Sequence, residues 1–176
     1  VSDDQRWTLA RDLLHGDGHQ VDDRVAGLLV LLFGQRPHQI TRLTVDHLTL
    51  GQPATLTLGA SPIEIPEPFA GHLRRLVDQR HNRTTAGGTD PGPWLFPGVW
   101  PGRPILPLTM TTRLQRLGIQ PSDYRASALL HLAGTLPPAV TADLLGLTPL
   151  TAHRWSVLAG RPWATYVADR LDQQHN

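Results

Sequence analysis

Leu31-Leu32-Phe33-Gly34-Gln35-Arg36-Pro37-His38-Gln39-Ile40-Thr41-Arg42-Leu43 joins an apolar run, a glycine stop and an arginine set directly before a proline. Upstream, Asp22 and Asp23 precede Val25, Leu28, Leu29, Leu31, Leu32 and Phe33. Acids at the start of an apolar run of this length predict a buried helix that ends near Gly34. Pro37 suits the first turn of a second, shorter helix through Ile40 and Leu43. Further upstream, Trp7, Leu9, Leu13 and Leu14 recur at helical spacing until the Gly16-Asp17-Gly18 turn.

Downstream the period changes. Leu48, Leu50, Leu56, Leu58, Ile63 and Ile65 fall on alternate positions, separated by Gly51-Gln52-Pro53 and Gly59-Ala60-Ser61-Pro62. This alternation predicts a small three-stranded meander. Phe69, Leu73, Leu76 and Val77 then return to helical spacing as far as about Arg83. Residues 84–104 are rich in Gly and Pro and read as a long loop anchored by Trp94, Leu95 and Phe96. A short helix is expected over Thr109 to Leu117. Another is expected from Ser122, as a cap, through Leu129, Leu130 and Leu132. Pro137 and Pro138 suit the first turn of the next, closed by Gly146. Thr148-Pro149 opens one through Trp155 and Leu158, and Arg161 to Gln173 makes a last helix. The expected fold class is mainly α with a small three-stranded antiparallel sheet. Residues 1–20 read as an N-terminal linker or helix and residues 21–176 as the domain.

Composition narrows the chemistry. With 176 residues, 40% hydrophobic and 18% charged, the chain can bury a core and is not a disordered polymer. It has no cysteine, which excludes disulfides and thiolate metal sites. All sixteen basic residues are arginine, so lysine Schiff bases and lysine general acids are excluded. Residues 1–66 hold five Arg against eight acids, and residues 67–176 eleven Arg against seven acids. The C-terminal part is therefore mildly basic, which permits a nucleic-acid partner. No apolar run reaches the roughly 18 residues of a membrane span. The start of the chain is acidic and polar, unlike a signal peptide. No membrane association is expected, and the expected location is cytoplasmic.

Two further segments complete a pattern with the first: Ser122-Asp123-Tyr124-Arg125 and Leu144-Leu145-Gly146-Leu147-Thr148. The order of the three, with a small sheet after the first, resembles the catalytic domain of tyrosine recombinases, the phage-integrase family. The resemblance covers about residues 22–160. Gly34, Arg36 and Leu43 match the first motif, an arginine at the head of a short helix ending in Leu. Arg125 matches the arginine of the His-x-x-Arg motif, and Leu145-Gly146 the start of a Leu-Gly-His turn. The resemblance implies a tyrosine-recombinase-like fold and a site where two guanidiniums clamp one DNA phosphate and stabilise charge on it. In such a site a hairpin lysine and a histidine move protons, and a tyrosine attacks phosphorus.

At the remaining chemical positions the sequence departs from the family. Ser122 stands at the histidine of His-x-x-Arg and Leu147 at the histidine of Leu-Gly-His. The hairpin turn reads Gly59-Ala60-Ser61-Pro62, without lysine. The nucleophile position falls on Ser156, or on Trp155 with a one-residue slip. Tyr166 lies beyond the Gly160-Arg161-Pro162 break. The expectation is a catalytically inactive domain that binds double-stranded DNA, with Arg36 and Arg125 at a backbone phosphate and His38 beside them. No catalytic residue, metal or cofactor is expected. The structural alternative for both arginines is a carbonyl bridge or pairing with an acid such as Asp123.

Residues 140–160 also read as a helix-turn-helix-like corner, with Ala142, Gly146 and a Thr148 cap. Ala152 and Trp155 face inward, while Thr151, His153 and Arg154 face a duplex. Arg74, Arg75, Arg80 and Arg83 form a basic run on one helix, read as a solvated face balanced by Asp78 or as a DNA-backbone stripe. His15 and His19 straddle glycines, which argues against a helical metal pair. His131 is expected to be half-buried. The resemblance also implies exchange of the C-terminal helix between neighbours, here Arg161 to Gln173, and hence a homo-oligomer. Residues 1–20 are too short for the family's separate N-terminal clamp domain, which suggests a C-terminal piece of a longer protein. The alternative functions are an assembly module on a decayed recombinase scaffold, a helix-turn-helix regulator, and an enzyme using Ser156 or Tyr166.

Overall fold

A computed structural model describes residues 1–85 and 92–160. The elements run α1 (Asp3–His15), α2 (Val21–Phe33), α3 (Pro37–Ile40), a 3-10 turn (Val45–His47), β1 (Leu48–Thr49), β2 (Ala54–Leu56), β3 (Ile63–Ile65), α4 (Phe69–Thr85), α5 (Pro107–Arg116), α6 (Pro121–Thr135) and α7 (Pro138–Leu145). A further helix, α8, spans residues 149–160. The described residues are thus mainly α with one small sheet.

The acid-headed apolar run becomes the central helix. Every residue from Val25 to Leu31 in α2 is buried, and the helix packs against α1, α4, α5 and α6. A helix apolar on all sides needs neighbours on all sides. α1 is part of this core, because Ala10 and Leu13 are fully buried against it. Arg6 is also buried. Its guanidinium donates to the Leu31 carbonyl at 2.7 Å and, through two nitrogens, to the Asp3 carboxylate at 3.0 and 2.5 Å, so its charge is paired and all three of its nitrogens have a partner.

The three strands form an antiparallel sheet in the order β1-β2-β3, with Leu48 opposite Leu56 and Ala54 opposite Ile65. Ala54, Leu56 and Ile65 turn inward and Thr55 and Glu64 outward, the period-two pattern of a half-buried sheet. Leu50 and Leu58 continue the alternation in sequence but lie in the turns, outside the strands.

The long loop is pinned where the apolar triplet falls. Leu95 and Phe96 are buried, and the Leu95 N–H donates to the Leu43 carbonyl at 2.8 Å. Two expectations need correction. Ser122 is not a helix cap, because α6 begins one residue earlier, at Pro121. The residue before a proline is held extended, so Gln120 takes the cap position with φ −85° and ψ 107°. The arginines of α4 do not share one face either. Arg80 is buried and donates to the Gly92 carbonyl at 2.7 Å, Arg74 pairs with Glu67, and Arg75 is exposed. The expected helix from Arg161 to Gln173, with Tyr166, lies outside the described residues, as does the side chain of Arg83.

Candidate functional site

Gly34 ends α2 in the left-handed conformation (φ 59°, ψ 32°), and its N–H still bonds back to the helix, to the Val30 carbonyl at 3.0 Å. This turn sends the chain into α3 with Arg36 at its head. Gln39 reaches back to accept the Arg36 backbone N–H at 3.0 Å, which fixes the entry to the short helix. The Arg36 side chain is exposed, and among the described residues its guanidinium has no hydrogen bond or ion pair.

Arg125 comes from the first turns of α6 and is buried. Its guanidinium donates to the Gly34 carbonyl at 2.5 Å. It does not pair with Asp123, whose carboxylate accepts instead from the Ser122 hydroxyl at 2.9 Å. Burial, and next the nearby charge of Arg36, push the Arg125 pKa down to about 10. The group remains a cation at neutral pH, but an incompletely compensated one.

The two arginines meet in one cleft of about 390 Å³. Arg36, His38, Ser122, Arg125 and Trp155 line it, and among the described residues no carboxylate does. Two guanidiniums on a wall without a carboxylate among the described residues carry the charge and donors that an oxyanion accepts: one is braced by a carbonyl and the other has no partner among the described residues. Trp155 closes the apolar side. Its place follows from its spacing with Ala152, which is fully buried three residues earlier on α8. Reading Trp155 only as an inward-facing core residue passes over its place as a wall of this cleft.

The other sequence-derived residues lie elsewhere. His153 and Arg154 are exposed on α8 and do not line the cleft. Thr151 is half-buried, and its hydroxyl lies 2.8 Å from that of Thr148, which caps α8 by accepting the Thr151 N–H at 3.2 Å. Ser156 is half-buried and is not among the lining residues. Leu147 faces a different cavity, shared with Gly59 and Ala60 of the β2–β3 turn. That turn packs on the α7–α8 corner: the Ala60 N–H donates to the Asp143 carbonyl at 2.8 Å. Gln35, which is buried, braces the same region, its amide 3.5 Å from the Leu145 carbonyl. His19 faces Asp12 at 2.9 Å, and His131 is half-buried with Asp3 at 3.5 Å.

The whole arrangement is a recombinase-like fold. A solved structure of XerA recombinase is similar to it, with a TM-score of 0.66 and 14% sequence identity over 94% of this chain. The chain spans 62% of the length of that protein. At this identity the likeness is one of fold. No family model matches the sequence, and no curated protein matches it.

Proposed function

We propose that this chain binds double-stranded DNA, holding a backbone phosphate between Arg36 and Arg125, and that it does not break the strand. The observation that carries this reading is the cleft in which Arg36, without a partner among the described residues, stands beside the buried Arg125, with no carboxylate among the described residues in its lining. A phosphate diester supplies the negative charge and the acceptor geometry that such a pair lacks. The recombinase-like fold supports the nucleic-acid part of the reading. His38, at the rim, adds a donor, and Thr151, His153 and Arg154 on α8 supply further contacts to the duplex.

The second part of the reading, loss of chemistry, rests on what surrounds the cleft. The chain has no lysine, and the positions that match the family's proton-moving and nucleophilic groups hold Ser122, Leu147 and Ser156. A leucine side chain moves no proton. Ser156 is not in the cleft lining, and Trp155, which is, offers no nucleophile.

The test is fluorescence anisotropy of a labelled DNA duplex over a salt series. Affinity is expected to fall steeply as salt rises, because phosphate contacts release counterions. Arg36→Ala is expected to weaken binding by about tenfold, the scale of one charge-assisted hydrogen-bonding group. If no duplex binds even at low salt, or if Arg36→Ala binds as well as the parent, the reading is wrong. A nicked suicide duplex is expected to give no covalent protein–DNA adduct, and an adduct would refute the second part.

A further inference from the structure

At the other end of α3 from Arg36 the chain builds a second feature, which the DNA reading does not use. The segment after Phe96 folds back on itself as a hairpin-like loop. The Ile105 N–H donates to the Phe96 carbonyl at 2.9 Å, and the Gly98 N–H to the Arg103 carbonyl at 2.8 Å. The Trp94 indole N–H donates to the Gly102 carbonyl at 2.9 Å. The strand-like pair is so close at Gly98 that an added Cβ would lie 2.6 Å from the Pro104 carbonyl oxygen, and Gly102 takes φ 68° at the tip. The backbone of this loop is thus held by named bonds and by glycines placed where other residues do not fit.

What the loop holds out is apolar. Val99 is 94% exposed and Trp100 77%, while Leu106 and Leu108 just beyond are 68% and 78% exposed. Scattered exposed apolar residues are ordinary, but four large ones within ten positions on a fixed scaffold form a patch. Val99, Trp100 and Leu106 line a groove of about 700 Å³ between the loop and the end of α3. The charged side chains in the groove are Arg42 and Arg103. Both are exposed, and among the described residues neither guanidinium has a hydrogen bond or ion pair. Among the described residues no Asp or Glu lines the groove.

We propose that this groove docks a segment of a partner protein that carries large apolar side chains flanked by Asp or Glu. The apolar floor, with an exposed tryptophan, supplies the anchoring area typical of protein–protein contacts. The two free arginines select the charge of the occupant, since a basic segment would meet uncompensated like charge and an acidic one forms forked ion pairs. A nucleic acid fits this surface less well, because its backbone offers no large apolar groups to cover Val99, Trp100 and Leu106. The groove and the two-arginine cleft lie at opposite ends of one short helix, so a partner seated here would sit beside bound DNA without filling the cleft.

The test selects short random peptides displayed on phage against the full 176-residue chain. Enriched peptides are expected to combine aromatic or aliphatic residues with Asp or Glu. Trp100→Ala is expected to weaken a selected peptide by about tenfold or more, as for an interface anchor. Arg42→Glu with Arg103→Glu should weaken it further and should restore binding to the same peptide with its acids changed to Lys. All three positions are exposed, so the variants should keep the parent's circular dichroism, and the charge-neutral Trp100→Ala should also keep its affinity for the duplex. The proposal is overturned if no peptides or only basic ones are enriched, or if binding ignores Trp100→Ala. It is also overturned if Trp100→Ala instead abolishes a concentration-dependent dimer, which would make the occupant a second copy. Weaker duplex binding by Trp100→Ala would likewise overturn it, by placing the patch in the DNA interface. Loss of duplex binding by Arg36→Ala tests only the earlier reading.

Discussion

Arg36 and Arg125 sit in one cleft but answer to different physics. Arg125 is buried and bonded to the Gly34 carbonyl, so it holds the α2 terminus to α6 while presenting charge to the cleft. Arg36 is exposed and contributes charge only. Arg125→Ala should therefore destabilise the fold by about 2–4 kcal/mol, through an unpaired carbonyl and a cavity. Arg36→Ala should change stability by less than about 0.5 kcal/mol, and upward, since it removes a like charge from beside Arg125. Urea unfolding of the two variants checks this split, and equal losses would contradict it. The same pair sets a pH dependence. In the proposed site it is the charged form of Arg125 that would hold phosphate, and its pKa is pushed down to about 10. Duplex affinity at fixed ionic strength should hold from pH 8 to 9 and fall as pH rises through about 10. An affinity that is flat across that range would show that Arg125 does not carry the contact.

At the scale of elements, the most constrained junction is the β2–β3 turn against the α7–α8 corner. A Cβ at Gly59 would stand 1.9 Å from the Asp143 carbonyl oxygen, and one at Gly146 would stand 2.7 Å from the Leu58 carbonyl oxygen. Both neighbours are backbone, which yields only by moving an element. Gly146 is also left-handed at φ 65°, the αL cap that ends α7. Gly59→Ala is expected to cost about 1–3 kcal/mol through overpacking. It should also raise hydrogen exchange in the turn and at the end of α7 together, and a change confined to the turn would disprove the coupling. The spacing of Leu56, Leu58 and Ile63 announced strands and a turn, but nothing local in either segment announced that the turn would seat on residues more than eighty positions away.

For the whole molecule, the core is organised around α2 with helices on every side, and α1 is one of them. Read alone, the glycine turn at residues 16–18 looks like the edge of a domain. Packing makes it an internal bend, because Leu13 closes on α2 and Arg6 caps the Leu31 carbonyl. Removal of residues 1–15 should uncover α2 and abolish cooperative thermal unfolding, and a sharp transition in the shortened chain would refute this. The sequence alone determined the order and kind of elements: Asp22-Asp23 and the apolar run to Phe33, the alternation from Leu48 to Ile65, and the proline-headed helices later in the chain. These are local signals, set by 3.6-residue and two-residue periods and by backbone restrictions at Pro and Gly. It also placed Arg36 and Arg125 in matching motifs. Only the tertiary structure decided that they line the same cleft, that Trp155 rather than Ser156 closes it, and that Trp100 stands in solvent while Leu95 and Phe96 are buried. Those outcomes depend on which faces meet across long separations in the chain, and a one-residue rotation of a helix, about 100°, exchanges one side chain for its neighbour at the site.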